Sequence, residues 1–152
     1  MQSTVRQEKH KLEDFEVGET LVSNPFSFSE QEIIDFSKTY DPQFFHTDPQ
    51  AAKQSYFGGL IASGWATGAM CLNALFQTHF LLPGGIIGIG VDRMRWYEPV
   101  WPNDQLQTHA RISERRRSNS RAGWGIMTVE IEVKNQHARP VLTMTTTVMV
   151  EA

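Results

Sequence analysis

The segment from Leu60 to Phe80 carries apolar residues on nearly every face of a helix and contains no Asp, Glu, Lys or Arg. A helix that is apolar all round is normally buried all round. From Gly64 to Phe80 such a helix would span about 25 Å, which is the width of a small domain. Cys71 falls within the pattern, and we interpret it as a small buried hydrophobic residue. The sequence therefore predicts one long helix in the centre of the fold.

Strand patterns follow this helix. Pro83-Gly84-Gly85 interrupts the helical pattern, and apolar and polar residues then alternate as they do in half-buried strands. The predicted strands are Ile86 to Trp96, Gln105 to Ser113, Gly125 to Val133 and Val141 to Glu151. Because short turns join them, we expect an α+β fold in which an antiparallel sheet wraps the long helix.

The first half of the chain predicts one strand and two shorter helices. Ser29 and Glu32 fit a capping box, and Asp48-Pro49 suits the N-cap and first position of a second helix. The predicted elements are a strand at Thr20 to Phe28, a helix from Ser29 to near Thr39, a loop at Asp41 to Thr47, and a short helix from Asp48 to Gly58-Gly59.

Length and charge limit the class of protein. The chain of 152 residues favours one domain; we assign residues 15–152 to it and residues 1–14 to a flexible N-terminal arm. A formal net charge of -3 gives no sign of a nucleic-acid partner. The N-terminus lacks the apolar core of a signal peptide, and no apolar run is long enough to span a bilayer. We expect a soluble cytoplasmic protein without a membrane partner.

The stretch from Tyr40 to Trp65 contains the candidate catalytic residues. Asp41 and His46 lie in a segment with turn character, and both side chains can transfer protons. Gly64 then opens the apolar helix, whose first N–H groups have no partner within the helix and can bind a developing negative oxygen. Taken singly, Asp41 is also typical of a turn brace and His46 of a hydrogen-bonded loop histidine. Their combination favours an active site.

This stretch resembles the motif of the MaoC-like dehydratases, a family of the hot-dog fold that includes the R-specific enoyl-CoA hydratases. The matching residues are Asp41, His46, Asp48, Pro49, Ala52, Phe57 and Gly64. The segment from Tyr97 to Asp104 looks like the family's second landmark, a strand that ends in Pro-Val before a turn. Gln43 and Phe44 depart from the motif, because the family usually has Asn and Pro at these positions.

The resemblance implies the reversible hydration of a trans-2-enoyl-CoA to an (R)-3-hydroxyacyl-CoA, or the reverse dehydration. Asp41 and His46 would hold the water molecule, and the backbone N–H of Gly64 would bind the thioester oxygen. The candidate substrate-binding residues are Ser63, Trp65 and Phe45. No metal or redox cofactor is implied, since coenzyme A is part of the substrate. Asp48 needs only its capping role, and His46 with Asp48 is a weak metal pair because no further ligands cluster nearby.

The resemblance also implies a homodimer whose sheets join, and it allows dimers to pair further. Since Val141 to Val150 carries no charge, we expect the exposed sheet edge in the last strands.

Two other functions remain open, a hot-dog acyl-CoA thioesterase and a non-catalytic acyl-binding subunit. The absence of Asp and Glu from Ile61 to Phe80 disfavours the thioesterase, because such enzymes commonly carry a carboxylate on the central helix. A basic cluster predicts either a solvated hairpin end or a contact with the phosphates of coenzyme A. Its members are Arg111, Arg115, Arg116, Arg117 and Arg121.

Overall fold

A computed structural model of the protein describes residues 9–80 and 82–152. The helices are α1 (Glu30–Tyr40), α2 (Phe44–Thr47), α3 (Pro49–Ala52) and α4 (Gly64–Leu75). The strands are β1 (Thr20–Val22), β2 (Ile87–Trp96), β3 (Gln107–Arg117), β4 (Trp124–Lys134) and β5 (Pro140–Glu151). A 3-10 turn at Leu12–Asp14 precedes β1, and a π-helical segment at Phe76–Phe80 continues α4.

The five strands form one antiparallel sheet in the order β1-β3-β4-β5-β2. Alternate residues of the central strands are buried against the helical layer, as Ala110, Met127 and Val129 show. The hydroxyl of Thr108 in β3 donates to the carbonyl oxygen of Cys71 in α4 at 3.3 Å. The predicted α+β fold, with an antiparallel sheet around a central helix, is confirmed.

The central helix is buried on one side only, so the expectation that it is buried all round is wrong for the single chain. Ala66, Cys71 and Leu75 are buried, whereas Trp65 and Ala69 are exposed. The α-helix is also shorter than predicted, because the backbone changes to π-helical geometry at Phe76. Burial raises the pKa of the Cys71 thiol to about 12, which agrees with an inert core cysteine.

Local signals in the first half were reliable. The hydroxyl of Ser29 accepts the N–H of Glu32 at 3.2 Å, and the Glu32 carboxylate accepts the N–H of Ser29 at 2.8 Å. The capping box is therefore confirmed. Asp48 caps α3 as predicted, since its Oδ1 accepts the N–H groups of Gln50 and Ala51. These two hydrogen bonds explain the role of Asp48, so no ligand-binding role is needed.

Three boundaries differ from the sequence prediction. The first strand is only Thr20–Val22, followed by an isolated bridge between Phe26 and Leu106. The expected loop contains the short helix α2, in which the N–H of His46 donates to the carbonyl of Gln43 at 2.9 Å. The helix expected to reach Gly58 ends at Ala52 and gives way to turns.

The last part of the expected N-terminal arm packs against the sheet, while residues 1–8 lie outside the described residues. Leu12 is buried and lies over Gly125 of β4. The guanidinium of Arg115 donates to the carbonyl of Leu12 at 3.1 Å, and Arg117 pairs with Glu13. Part of the basic cluster therefore anchors the N-terminal turn.

The expected sheet edge is also wrong. β5 lies between β4 and β2, so its uncharged sequence is explained by burial within the sheet. The edge strands are β1 and β2, and β2 is exposed along nearly its whole length. In the part of the chain that the structure describes, no helix has the length and apolar character needed to cross a membrane.

Candidate active site

Asp41 lies where α1 ends. Its backbone N–H donates to the carbonyl of Ser37 at 2.9 Å, and Pro42 cannot continue the helical hydrogen bonding. The carboxylate accepts two side-chain hydrogen bonds, at Oδ2 from the hydroxyl of Ser63 at 2.7 Å and at Oδ1 from the amide of Gln43 at 2.8 Å. These bonds fix the orientation of the carboxylate.

His46 lies in α2 and is buried, with 5% of its surface exposed. Its Nδ1 is 2.7 Å from the carbonyl oxygen of Ile61. A carbonyl can only accept, so this bond places a proton on Nδ1 and leaves a lone pair on Nε2 of the neutral ring. His46 is therefore hydrogen-bonded within the packed interior, and it lies in a short helix where the sequence alone also allows a hydrogen-bonded loop histidine.

The free nitrogen of His46 faces Asp41. Nε2 lies 3.4 Å from Oδ2 of Asp41, which exceeds the usual range of about 2.7–3.2 Å for an N–H···O hydrogen bond. Two acceptors therefore face each other, and a shared proton or a bridging water molecule would satisfy both. The predicted pairing of these two residues agrees with this geometry.

Electrostatics keep Asp41 ionised. Partial burial alone would raise the pKa of Asp41, but the hydrogen bonds from Gln43 and Ser63, with the adjacent His46, outweigh it. The pKa of Asp41 consequently lies below its ordinary value. At neutral pH the group is a carboxylate and a weak proton acceptor.

The segment before α4 brings the helix to this pair. The N–H of Ile61 donates to the carbonyl of Phe45 at 3.1 Å, and the N–H of Ala62 donates to that of Val100 at 2.8 Å. Ser63 then caps α4 by accepting the N–H of Trp65 at 3.3 Å. Because the Ser63 hydroxyl also donates to Asp41, one buried side chain joins the helix start to the acid.

Asp41, His46 and Gly64 line one cavity of about 690 Å³. Aromatic side chains form much of the rest of its wall, namely Phe45, Tyr56, Phe57, Trp65, Trp96, Tyr97 and Trp101. Phe45 and Trp65 thus lie where a substrate would contact them, whereas Ser63 contacts Asp41 instead of lining the cavity. The cavity wall offers a carboxylate, an imidazole and a helix N-terminus to a largely apolar ligand.

The basic cluster does not line this cavity. Arg111 lies 3.5 Å from Glu130 on the outer face of the sheet. Arg115 and Arg117 lie toward the end of β3 that pairs with Gly125, and they bind the N-terminal turn. A hairpin end describes Arg115 and Arg117, whereas Arg111 lies in the middle of β3, between β1 and β4.

Gln43 is a site residue that the sequence reasoning missed. It was noted only as a departure from the family motif, yet its amide holds the carboxylate of Asp41. The sequence did contain a signal for this role, because an amide side chain two positions after a candidate acid can donate to its carboxylate. The sequence places Trp96 only at the end of a predicted strand, and its contact with Gly64 could not be foreseen from positions so far apart in the chain.

The fold and site define a hot-dog protein with an acid–imidazole pair at the start of its central helix. The family model described as "MaoC like domain" matches residues 14–137. The chain therefore belongs to the MaoC-like domain family. The MaoC-like dehydratase from Rhodospirillum rubrum is similar in structure, with a TM-score of 0.86, 35% identity, and coverage of 94% of this chain and 97% of that one.

Other relatives are more distant in sequence or carry less specific names. Nodulation protein N of Rhizobium meliloti is 30% identical over 132 residues, covering 84% of this chain and 81% of that protein. The uncharacterized protein YdeM of Bacillus subtilis is 29% identical over 126 residues, covering 83% and 88%. The R-hydratase PhaJ1 of Pseudomonas aeruginosa, at 22% identity and a TM-score of 0.76 over 93% and 85% of the two chains, shares the fold.

Proposed function

We propose that the protein is an acyl-thioester hydro-lyase that reversibly hydrates a trans-2-enoyl-CoA to an (R)-3-hydroxyacyl-CoA. The observation that carries this proposal is the 3.4 Å pair of Asp41 and His46 in an apolar cavity at the start of α4. Membership of the MaoC-like domain family supports it. Within this proposal the reaction uses no metal or redox cofactor, and coenzyme A enters only as part of the substrate.

In the hydration direction, Asp41 Oδ2 and His46 Nε2 hold one water molecule. The carboxylate is a weak base because its pKa is lowered, so the lone pair of Nε2 removes the proton. The water oxygen bonds to the β-carbon, and the π electrons move toward the α-carbon and the thioester oxygen. The proton on Nε2 then passes to the α-carbon, so that one water is added in total.

The negative charge that develops on the thioester oxygen requires a hydrogen-bond donor. Gly64 is the first residue of α4, and its N–H has no partner within the helix. The helix dipole adds a positive partial charge at the same place. We assign the Gly64 N–H to the thioester oxygen, with Phe45 and Trp65 as candidate contacts of the acyl group.

Three measurements test the proposal against its alternatives: enoyl absorbance, free thiol and thioester binding. Incubation with crotonyl-CoA is expected to remove the enoyl absorbance and to form (R)-3-hydroxybutyryl-CoA. Release of a free thiol without loss of the double bond would identify a thioesterase, although α4 carries no carboxylate for that chemistry. Binding of the thioester with neither change would indicate an acyl-binding subunit.

Removing the amide of Gln43 is expected to move the acid limb of the pH profile. Gln43→Ala deletes a hydrogen bond that lowers the pKa of Asp41. The pKa must then rise, so the carboxylate becomes protonated at a higher pH and activity is lost earlier on acidification. The pH dependence of kcat/KM measures this shift.

Gln50→Ala is the matched control, because Gln50 is exposed and its side chain contacts only Lys53 among the bonds of the described residues. Its acid limb is expected to coincide with that of the wild type. If Gln43→Ala also coincides with the wild type, Gln43 does not tune Asp41.

Gly64→Ala is expected to lower crotonyl-CoA turnover by about tenfold or more, as loss of an oxyanion contact does. A Cβ at this position would lie 2.6 Å from Cε2 of Trp96, so the indole must shift and the approach to the N–H narrows. Gly68→Ala is the same change one turn later, where the Cβ would meet only the flexible end of Met94 at 3.1 Å. Equal turnover of the two variants would remove Gly64 from the mechanism.

We also propose that the protein is a homodimer joined through β2. This edge strand exposes Ile89 (52%) and Val91 (56%), and Trp65 of α4, whose ring meets that of Trp96 at the end of β2, is also exposed. Gly88 and Gly90 leave open space above the strand, which permits the close approach of another backbone. Pairing of the edges of two copies would satisfy the free backbone groups of β2 and cover the apolar side chains.

A further inference from the structure

We propose that Trp96 is a second oxyanion donor, whose indole N–H acts together with the backbone N–H of Gly64 on the thioester oxygen. This inference rests on the proposed function and adds a catalytic side chain to it. Trp96 is the last residue of β2, and both residues line the cavity that holds Asp41 and His46.

The contact between Trp96 and Gly64 places the indole nitrogen at the start of α4. A Cβ added to Gly64 would lie 2.6 Å from Cε2 and 2.8 Å from Cδ1 of the indole, and closest of all to Nε1. In a helix the Cα–Cβ bond tilts toward the N-terminus, which is also the direction in which the first N–H groups point. The indole nitrogen of Trp96 therefore lies on the side of Gly64 toward which the backbone N–H of Gly64 points.

Both donors are available to a ligand. Among residues 9–80 and 82–152, no hydrogen bond uses the backbone N–H of Gly64 or the indole N–H of Trp96. An indole N–H can only donate, so neither group competes with the other for an oxygen acceptor. An oxygen atom bound next to both nitrogens would meet two donors and no competing acceptor from either residue.

The backbone of Trp96 is fixed by strand pairing, and its ring is fixed by a neighbouring ring. Trp96 pairs with Leu142 across β2 and β5, and its ring meets that of Trp65 edge-on, with centroids 5.2 Å apart and planes at 75°. Such a pair of aromatic rings restricts rotation of the indole. A donor held in advance of the reaction stabilises a developing charge without reorganising.

Trp96 could instead serve only as an apolar wall, and the two roles predict different results for Trp96→Phe. Phenylalanine keeps an aromatic ring, although a smaller one, and has no N–H. A donor that strengthens as the enolate forms acts on kcat more than on KM. We expect kcat for crotonyl-CoA to fall about tenfold or more, with KM and melting temperature close to those of the wild type.

Trp124→Phe is the matched control, because Trp124 begins β4 and does not line the cavity. It makes the same chemical change and is expected to keep the kcat of the wild type. A Trp96→Phe enzyme with wild-type kcat would overturn the inference, since the ring alone would then suffice.

A binding measurement decides the inference independently of turnover. The chain has four tryptophans, so its indole N–H signals can be followed by NMR, and Trp96→Phe identifies the signal of Trp96. Saturation with butyryl-CoA, a thioester that cannot be hydrated, is expected to move the Trp96 indole proton downfield while the Trp124 signal stays in place. An unmoved Trp96 signal would overturn the inference.

The two measurements separate this inference from the proposed function. A wild type that leaves crotonyl-CoA unchanged would contradict the proposed function, and the indole signal would then decide alone whether Trp96 binds a thioester carbonyl. A wild type that hydrates crotonyl-CoA, together with an unaffected Trp96→Phe variant, would contradict only the role of Trp96.

Discussion

Asp41→Asn is expected to lower crotonyl-CoA turnover by about a hundredfold or more, the usual cost of removing a proton-transfer group. The amide has the shape of the carboxylate and can still accept a hydrogen bond from Ser63 or Gln43. It lacks the negative charge that orients the water and stabilises protonated His46. The fold is expected to persist, which circular dichroism and the melting temperature will show.

Asp35→Asn is the matched control, because Asp35 is an exposed residue of α1 that contacts only Gln31 through its carboxylate among the bonds of the described residues. It should keep wild-type turnover. If Asp41→Asn also keeps it on a confirmed substrate, Asp41 takes no part in the reaction.

His46→Asn is expected to lower turnover as strongly, because an amide has no basic nitrogen lone pair to remove the proton from water. Asparagine is preferred to alanine here, since its amide can donate to the carbonyl of Ile61 as Nδ1 does. His46 is buried, so alanine would also leave a cavity and an unsatisfied carbonyl. His137→Asn, at an exposed turn, is the control and should behave as the wild type. Wild-type turnover in His46→Asn would assign the proton transfer to another group.

Features that depend on near neighbours in the chain could be predicted from the sequence. The capping box of Ser29 and Glu32 and the cap at Asp48 form within one helical turn, so the residue types are sufficient. The pairing of Asp41 with His46 was also predicted, because the motif places both on one short segment before α4. The polar groups of that segment are close together in the chain, and their residue types allow only a few kinds of chemistry.

Features that depend on distant parts of the chain could not be predicted in this way. A run of apolar residues predicts that a helix is buried, but it does not say which surface covers each side. The exposed side of α4 at Trp65 was therefore missed. Strand order is also non-local, and the uncharged β5 is equally consistent with an edge or an interior position. The contact of Trp96 with Gly64 joins β2 to α4 and leaves no local pattern.

Val91→Lys is expected to convert the protein from a dimer to a monomer. The mass of the wild type measured by sedimentation should be about twice the chain mass of 17.3 kDa. Val91 lies on the exposed edge strand and pairs with Thr146 of β5. In a symmetric interface each copy would bring a lysine to the same apolar region, so two charges would lose water without a partner. We expect the dissociation constant to rise by about a hundredfold or more, since burying an unpaired charge costs several kcal/mol.

Val22→Lys is the matched control, because Val22 is an exposed valine on β1, the opposite edge of the same sheet. β1 has three residues, whereas β2 has ten, so β1 offers few backbone groups to another copy. We expect Val22→Lys to remain a dimer in sedimentation at micromolar concentration.

A wild type with the mass of a single chain would contradict the dimer. A monomer formed by Val22→Lys, with Val91→Lys still dimeric, would instead place the interface on β1. Because Trp96 ends the same strand as Val91, a monomeric Val91→Lys variant should also lose turnover if the interface stabilises the cavity wall.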